Sequence, residues 1–112
     1  KIGRIINFSS FAVKIGLQGE SVYVASKAGV EGFSRSIARE LASYNVTVNC
    51  ISPGPIKTKL TEKVPINYID EVIRQQIITE QCDEEDILNC VKLILDSKSN
   101  KITGENFIIG GF

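Results

Sequence analysis

Between two short β-branched runs lies a long stretch of helical spacing without proline, from Val22 to about Tyr44, and this alternation limits the fold more than any other feature of the chain. Ile5-Ile6-Asn7-Phe8 reads as a strand that delivers Ser9 and Ser10 to a loop running through Gly16 and Gly19. Val46-Thr47-Val48-Asn49-Cys50-Ile51 reads as a second strand, closed by Ser52-Pro53-Gly54-Pro55, where two prolines end ladder pairing. Ser21 is expected to cap the helix and Asn45 to stop it. Lys57 to Val64 is polar and without period, a loop. Asn67 to Thr79 is a moderate helix with Ile69, Val72, Ile73 and Gln76 on one side. Asp83-Glu84-Glu85-Asp86 opens a clearer helix, its acids placed where the positive helix N-terminus favours them, and Phe107-Ile108-Ile109 is a last strand. The order β-α-β-α-α-β predicts an α/β fold: a parallel sheet of three strands with flanking helices.

The long helix carries two different faces. At 100° per residue, Tyr23, Lys27, Val30, Ile37 and Leu41 share a stripe that should meet the sheet. Ala25, Gly29, Gly32 and Ser36 lie on roughly the opposite side. Two glycines inside a helix cost about 1 kcal/mol each relative to alanine, so something is expected to offset that loss. Close approach of a helix from a second subunit is one way, making a homo-oligomer; packing beneath an intrachain loop is the other.

Composition removes whole classes of function. The chain has no His, which excludes Ser-His-Asp and Cys-His machinery and any imidazole metal ligand. Thirteen Lys and Arg balance thirteen Asp and Glu, which leaves no electrostatic footprint for nucleic acid or an anionic membrane surface. No apolar run approaches the roughly 18 residues of a membrane span. Cys50, Cys82 and Cys90 are odd in number and lack CxxC spacing, so neither a disulfide framework nor a metal site is expected; reduced thiols and a cytoplasmic location fit better. Cys50, alternating with Val46 and Val48, should pack as a small hydrophobe.

Within Tyr23-Val24-Ala25-Ser26-Lys27 a phenol and an ammonium stand at i and i+4, one turn apart on one helical face. Tyrosine ordinarily titrates near 10, and bringing it to about 7 requires about 4 kcal/mol of preferential phenolate stabilisation, which a cation in a desolvated cleft helps to supply. A tyrosine tuned in this way exchanges a proton with an alkoxide or alcohol. Ser10, at the end of the first strand, can stand beside it and hydrogen-bond the reacting oxygen. Taken alone, a structural i,i+4 pair would look the same.

The surroundings of that pair are more specific. Gly3-Arg4-Ile5-Ile6-Asn7-Phe8-Ser9-Ser10, then Tyr23-Val24-Ala25-Ser26-Lys27-Ala28-Gly29-Val30, then Val46 through Thr58 resemble the short-chain dehydrogenase/reductase family, closest to its 3-oxoacyl-[acyl-carrier-protein] reductase type. The resemblance covers nearly the whole chain, most specifically residues 3–58. It implies that Tyr23 is the general acid/base, that Lys27 depresses its pKa and holds the nicotinamide ribose, and that Ser10 orients the substrate carbonyl. It further implies that Pro53 and Gly54 shape the loop beside the nicotinamide, that the Ile56 backbone meets the carboxamide, and that Thr58 contacts the amide or pyrophosphate. The implied cofactor is NADP or NAD, and the implied substrate a 3-oxoacyl thioester of fatty acid biosynthesis, with sugars or small alcohols next. Three features depart from the family pattern: Ile109-Gly110-Gly111-Phe112 lacks a polar residue before its glycines, Glu80 to Asp86 lacks a Gly-rich stretch, and Tyr44 stands where a basic residue often ends the long helix.

No Gly-rich turn between a strand and a helix occurs in the chain. With no Met and a start at Lys1, the expectation is that residues 1–112 form the C-terminal catalytic half of one Rossmann-type dinucleotide-binding domain, a doubly wound parallel sheet whose cofactor cradle lies elsewhere. Such a piece is expected to be inactive alone. A non-catalytic fragment acting as an oligomerisation module is the alternative.

Overall fold

Strand β2 (Val46–Ser52) is the centre of the molecule, paired in parallel on one side with β1 (Gly3–Phe8) and on the other with β3 (Asn106–Ile108). This computed structural model describes residues 2–58 and 61–112. Helices α1 (Phe11–Ile15) and α2 (Ser21–Leu41) connect the first two strands, and α3 (Ile66–Arg74) and α4 (Glu84–Leu95) connect the last two. The α/β architecture with a three-stranded parallel sheet is therefore as expected. Because the strands are parallel, Phe8, Ser52 and Ile108 all end on one side of the sheet, and the loops that leave them share that side.

Alternation along β2 sends its side chains to two layers. Val48 and Cys50 face α2, while Ile51 packs with Cys90 and Ile94 of α4, flanked by Ile6, Ile87, Val91, Phe107 and Ile109. Cys50 is buried as a small hydrophobe, as its spacing predicts. Burial pushes all three thiols above their ordinary range, with the Glu31 carboxylate adding to the effect at Cys50 and Asp86 and Asp83 at Cys82, so these cysteines stay protonated and inert.

Several boundaries differ from the sequence reading, each for a local reason. Ser21 is the first residue of α2 and not its cap; Glu20 holds that position with φ −120° and makes no side-chain cap. The helix tightens into a 3₁₀ turn at Ala42–Tyr44, and Asn45 stops it in the left-handed region at φ 60°. Helix α1 replaces the expected loop: Ser10 caps it by accepting from the Ala12 amide at 3.1 Å, and Gly16 ends it at φ 63°. Helix α3 stops at Arg74, short of Thr79. Helix α4 begins as expected, with a reciprocal box in which Asp83 accepts from the Asp86 amide at 3.0 Å and Asp86 from the Asp83 amide at 2.9 Å. The loop expected at Lys57 to Val64 includes Lys59 and Leu60, which lie outside the described residues; Thr61 to Val64 is a turn.

The sheet-facing stripe of α2 is turned slightly from the one expected. Ser34 and Ala38 are its buried residues, and Lys27, Val30, Ile37 and Leu41 are half-buried beside them, whereas Tyr23 is 42% exposed. Small side chains at the contact let the helix lie close on β2. Ala25, Gly29, Gly32 and Ser36 point outward together with Val22 and Phe33, and among the described residues nothing beyond the adjacent residues and the helix's own backbone comes within 4 Å of where a Cβ on Gly29 or Gly32 would sit.

Arg4 joins the first strand to the far end of α4. Its Nε donates to the Ile94 carbonyl at 3.0 Å, and its Nη2 donates to the Asp96 carbonyl at 3.2 Å and to Asn100 Oδ1 at 2.7 Å. A guanidinium at a helix C-terminus satisfies carbonyls that have no partner within the helix. Arg4→Ala is expected to lower the unfolding free energy by roughly 1.5–3 kcal/mol, the range for hydrogen bonds to a charged group, read as a lower midpoint in urea.

Candidate active site

The C-terminal end of β1 and the first turns of α2 meet where the three strands end. Lys27 Nζ donates to the Phe8 carbonyl at 3.1 Å and stands 5.9 Å from the centroid of the Tyr23 ring. Tyr23 and Lys27 are thus neighbours on one face, as i,i+4 spacing requires. Two of the three ammonium hydrogens of Lys27 remain for other partners once Phe8 has taken one.

Ser10 is 7% exposed, and its hydroxyl oxygen is engaged by the Ala12 amide. That contact uses an acceptor lone pair and leaves the O–H hydrogen able to donate outward. Ser10 lines a small pocket of about 160 Å³ with Glu31, Ser52 and Asn106. Phe11, next in sequence, stacks on Phe112 with ring centroids 5.8 Å apart, which seals the C-terminal tail over the start of α1. The Phe11 amide also donates to the Pro53 carbonyl at 3.2 Å, so the loop after β1 and the loop after β2 are tied together.

Gly54 is buried, and its surroundings explain the choice of glycine. A Cβ there would lie 2.3 Å from Gln76 Oε1, and a Cβ on Gly110, itself at φ 90°, would lie 2.7 Å from Gln76 Nε2. Gln76 is 3% exposed; its Nε2 donates to the Ile78 carbonyl at 2.9 Å and the Glu80 carbonyl at 3.0 Å, while its Oε1 has no hydrogen-bond partner among the described residues. The amide is a wedge between the Pro53-Gly54 loop and the C-terminal tail. It fills the room that any side chain at position 110 would need, which together with the left-handed φ accounts physically for Gly110. Helical period predicts Gln76 on the apolar side of a helix, but it lies past the end of α3, and its contact with two glycines distant in sequence has no local signal.

Ile56 and Thr58 fall further along the same loop. Ile56 pairs in a parallel bridge with Cys82. The Thr58 amide donates to Thr61 Oγ1 at 3.0 Å, and Thr58 lines a separate pocket of about 250 Å³ with Lys57, Thr61, Ile69 and Gln81, whose lining includes none of Ser10, Tyr23 or Lys27. The structure therefore groups Ser10, Tyr23 and Lys27 about the end of β1, joins Pro53 and Gly54 to them through Phe11 and the tail, and sets Thr58 apart.

A family model described as Enoyl-(Acyl carrier protein) reductase matches residues 1–111. The chain belongs to the short-chain dehydrogenase/reductase family. It is 38% identical over 109 residues to the (3R)-3-hydroxyacyl-CoA dehydrogenase of Canis lupus familiaris, covering 97% of this chain and 42% of that protein. It is 37% identical over 109 residues to the 3-oxoacyl-[acyl-carrier-protein] reductase FabG of Staphylococcus aureus (strain Mu50), covering 97% and 44%. A solved structure described as a 4-hydroxyisoleucine dehydrogenase mutant complexed with NADH and succinate superimposes with a TM-score of 0.85 at 34% identity, over 98% of this chain and 46% of that one. The chain spans less than half the length of the curated relatives it matches.

For this family member, the crowding at Gly110 makes a double substitution informative. Gly110→Asn is expected to destabilise the protein by roughly 1–3 kcal/mol through its clash with Gln76. Gln76→Ala should recover part of that loss when combined with it, and thermal unfolding of the two single variants and the double variant measures the coupling.

Proposed function

We propose that residues 1–112 carry the acid/base half of an oxidoreductase that interconverts a ketone and a secondary alcohol with NADP or NAD, and that its substrate is a 3-oxoacyl thioester. The observation that carries the reading is the grouping at the end of β1: an exposed phenol on Tyr23, an ammonium one helical turn away, and a serine whose hydrogen is free to donate. The relatives' names support the substrate class, since both describe an acyl group oxygenated at carbon 3. The neighbour complexed with NADH supports the nicotinamide and favours a small-alcohol dehydrogenase as the second reading.

The residues present fit the nicotinamide-ribose end of such a cofactor. The two ammonium hydrogens of Lys27 not given to Phe8 suit the ribose hydroxyls, and the carbonyl-rich Pro53-to-Ile56 loop lies at the same sheet end, where Ile56 would meet the carboxamide; Thr58, in its own pocket, would face the pyrophosphate. When bound, the nicotinamide supplies or accepts the hydride. In the reductive direction Ser10 donates a hydrogen bond to the substrate carbonyl and fixes its orientation. Tyr23 gives its phenolic proton to the oxygen as negative charge develops there, and the Lys27 ammonium stabilises the phenolate left behind. Oxidation runs these transfers in reverse.

The reading includes two structural proposals. One is that the phosphate-binding turn, which is not among these residues, is supplied by another segment of the same domain, so that the 112-residue chain alone turns over no substrate. The other is self-association through the outward face of α2, where Gly29 and Gly32 leave open space beside Val22 and Phe33. Gly32→Leu is expected to shift the protein toward monomer in sedimentation, and an unchanged oligomer would exclude that face.

Activity is tested by following reduced nicotinamide with an acetoacetyl thioester and with small secondary alcohols, using the full-length polypeptide beside the isolated chain. Tyr23→Phe is expected to cut kcat by about 10²–10⁴-fold, the scale of a lost general acid. Full activity in that variant would remove Tyr23 from the chemistry.

A further inference from the structure

Tyr23 and Lys27 are followed, one more turn along the same face of α2, by Glu31. Its carboxylate does not turn back to Lys27. Oε2 accepts from Ser9 Oγ at 2.6 Å, a short charge-assisted contact, and Oε1 accepts from Asn106 Nδ2 at 2.8 Å. Asn106 Oδ1 in turn accepts from Ser52 Oγ at 2.7 Å. Ser9 directly follows β1, Ser52 ends β2 and Asn106 opens the short β3, so one carboxylate ties α2 to the end of β1 and to β3 directly, and to β2 through Asn106. Ser9 and Ser52 are buried at 5% and 1% exposure, which makes loss of their partners costly.

Ser9 is the residue before Ser10. Its main chain is fixed by its amide, which donates to the Ile51 carbonyl at 2.9 Å, and its side chain is held chiefly by Glu31 at 2.6 Å, with a longer contact to the Lys27 carbonyl at 3.4 Å. The preceding residue, Phe8, is held by Lys27. Successive turns of α2 thus grip successive residues of the segment that presents the Ser10 hydroxyl. We infer that Glu31 is a positioning residue for the reaction, setting the distance between the Ser10 hydroxyl on the β1 loop and the Tyr23 phenol on α2 by clamping Ser9. The inference rests on the oxidoreductase reading above, and it adds to that reading a residue that touches neither substrate nor cofactor.

Three variants test it. Glu31→Ala removes both acceptors; Ser9→Ala removes only the clamp on β1; Glu31→Gln keeps an acceptor for Ser9 while its amide can be met by a flipped Asn106, with the Ser52 hydroxyl reversed to accept. Glu31→Ala is expected to lower kcat per folded molecule of the full-length polypeptide by about 10–100-fold, the scale of a displacement near 1 Å, with KM for the nicotinamide cofactor unchanged. Ser9→Ala should reproduce most of that loss, the double variant should be no worse than the worse single one, and Gln should restore kcat to within about threefold. Amide exchange supplies a readout independent of turnover: protection at Ser9 and Phe11, whose amides donate to Ile51 and Pro53, should fall in Glu31→Ala while Val48 and Ile51 keep theirs. A Glu31→Ala protein with wild-type kcat, or with protection lost equally across the sheet, would overturn the inference. Failure of the wild-type polypeptide to turn over any ketone or alcohol would instead count against the oxidoreductase reading, and the exchange data would still decide what Glu31 does.

Discussion

The docking of α2 on β2 is the contact on which the rest of the structure depends. Ser34 and Ala38 are small enough for the helix to lie close to Val48 and Cys50, and the parallel crossover it completes brings the ends of β1 and β2 to one side. Every polar group of the site is hung from that geometry. The Asn7 side chain, which donates to Ser34 Oγ at 2.8 Å, and the Ser34 hydroxyl, which donates to the Val30 carbonyl at 2.7 Å, hold the helix at a fixed height above the strand. With the height set, Lys27 reaches Phe8 and Glu31 reaches Ser9.

Period and punctuation made much of this readable from the residues. The β-branched runs at residues 5–8 and 46–51, the proline-free helix and the acidic start of α4 follow from local preferences that the packed structure does not oppose. Pairing of Tyr23 with Lys27 follows from helical spacing alone. Ser10 lies just past a strand end, as the run before it predicts, but its role as a helix cap has no local signal, because α1 is a short helix whose apolar residues, Phe11, Ala12, Val13 and Ile15, have no period to reveal. The end of α3 was overestimated for a related reason. Gln76 keeps the helical period, but its amide is worth more as a wedge among carbonyls than as another helical residue, and only the folded chain brings Gly54 and Gly110 to it.

The polar layer beneath the site was the least accessible to sequence reasoning. Ser9, Glu31, Ser52 and Asn106 come from four separate elements, and each alone reads as an ordinary surface or turn residue. Asn49 behaves in the same way: fully buried in mid-strand, it gives its Nδ2 to the Ile102 carbonyl at 2.9 Å and takes the Glu105 amide at 3.1 Å, which aligns the segment leading into β3. Burying such groups is tolerable because each is met by another polar group. That requirement, together with the packing of Phe107 against the core, sets how the short third strand registers against the second.

The wedge at Gln76 has a consequence for how chains of this kind can diverge. One small volume lies between the loop after β2 and the C-terminal tail, and the Gln76 amide occupies it; a side chain added at Gly54 or Gly110 would compete for the same space, and at Gly110 would also strain a backbone held at φ 90°. Residues 54, 76 and 110, far apart in sequence, are therefore constrained together. A glycine lost at 54 or 110 meets the Gln76 amide, and a small residue at 76 leaves a void beside both.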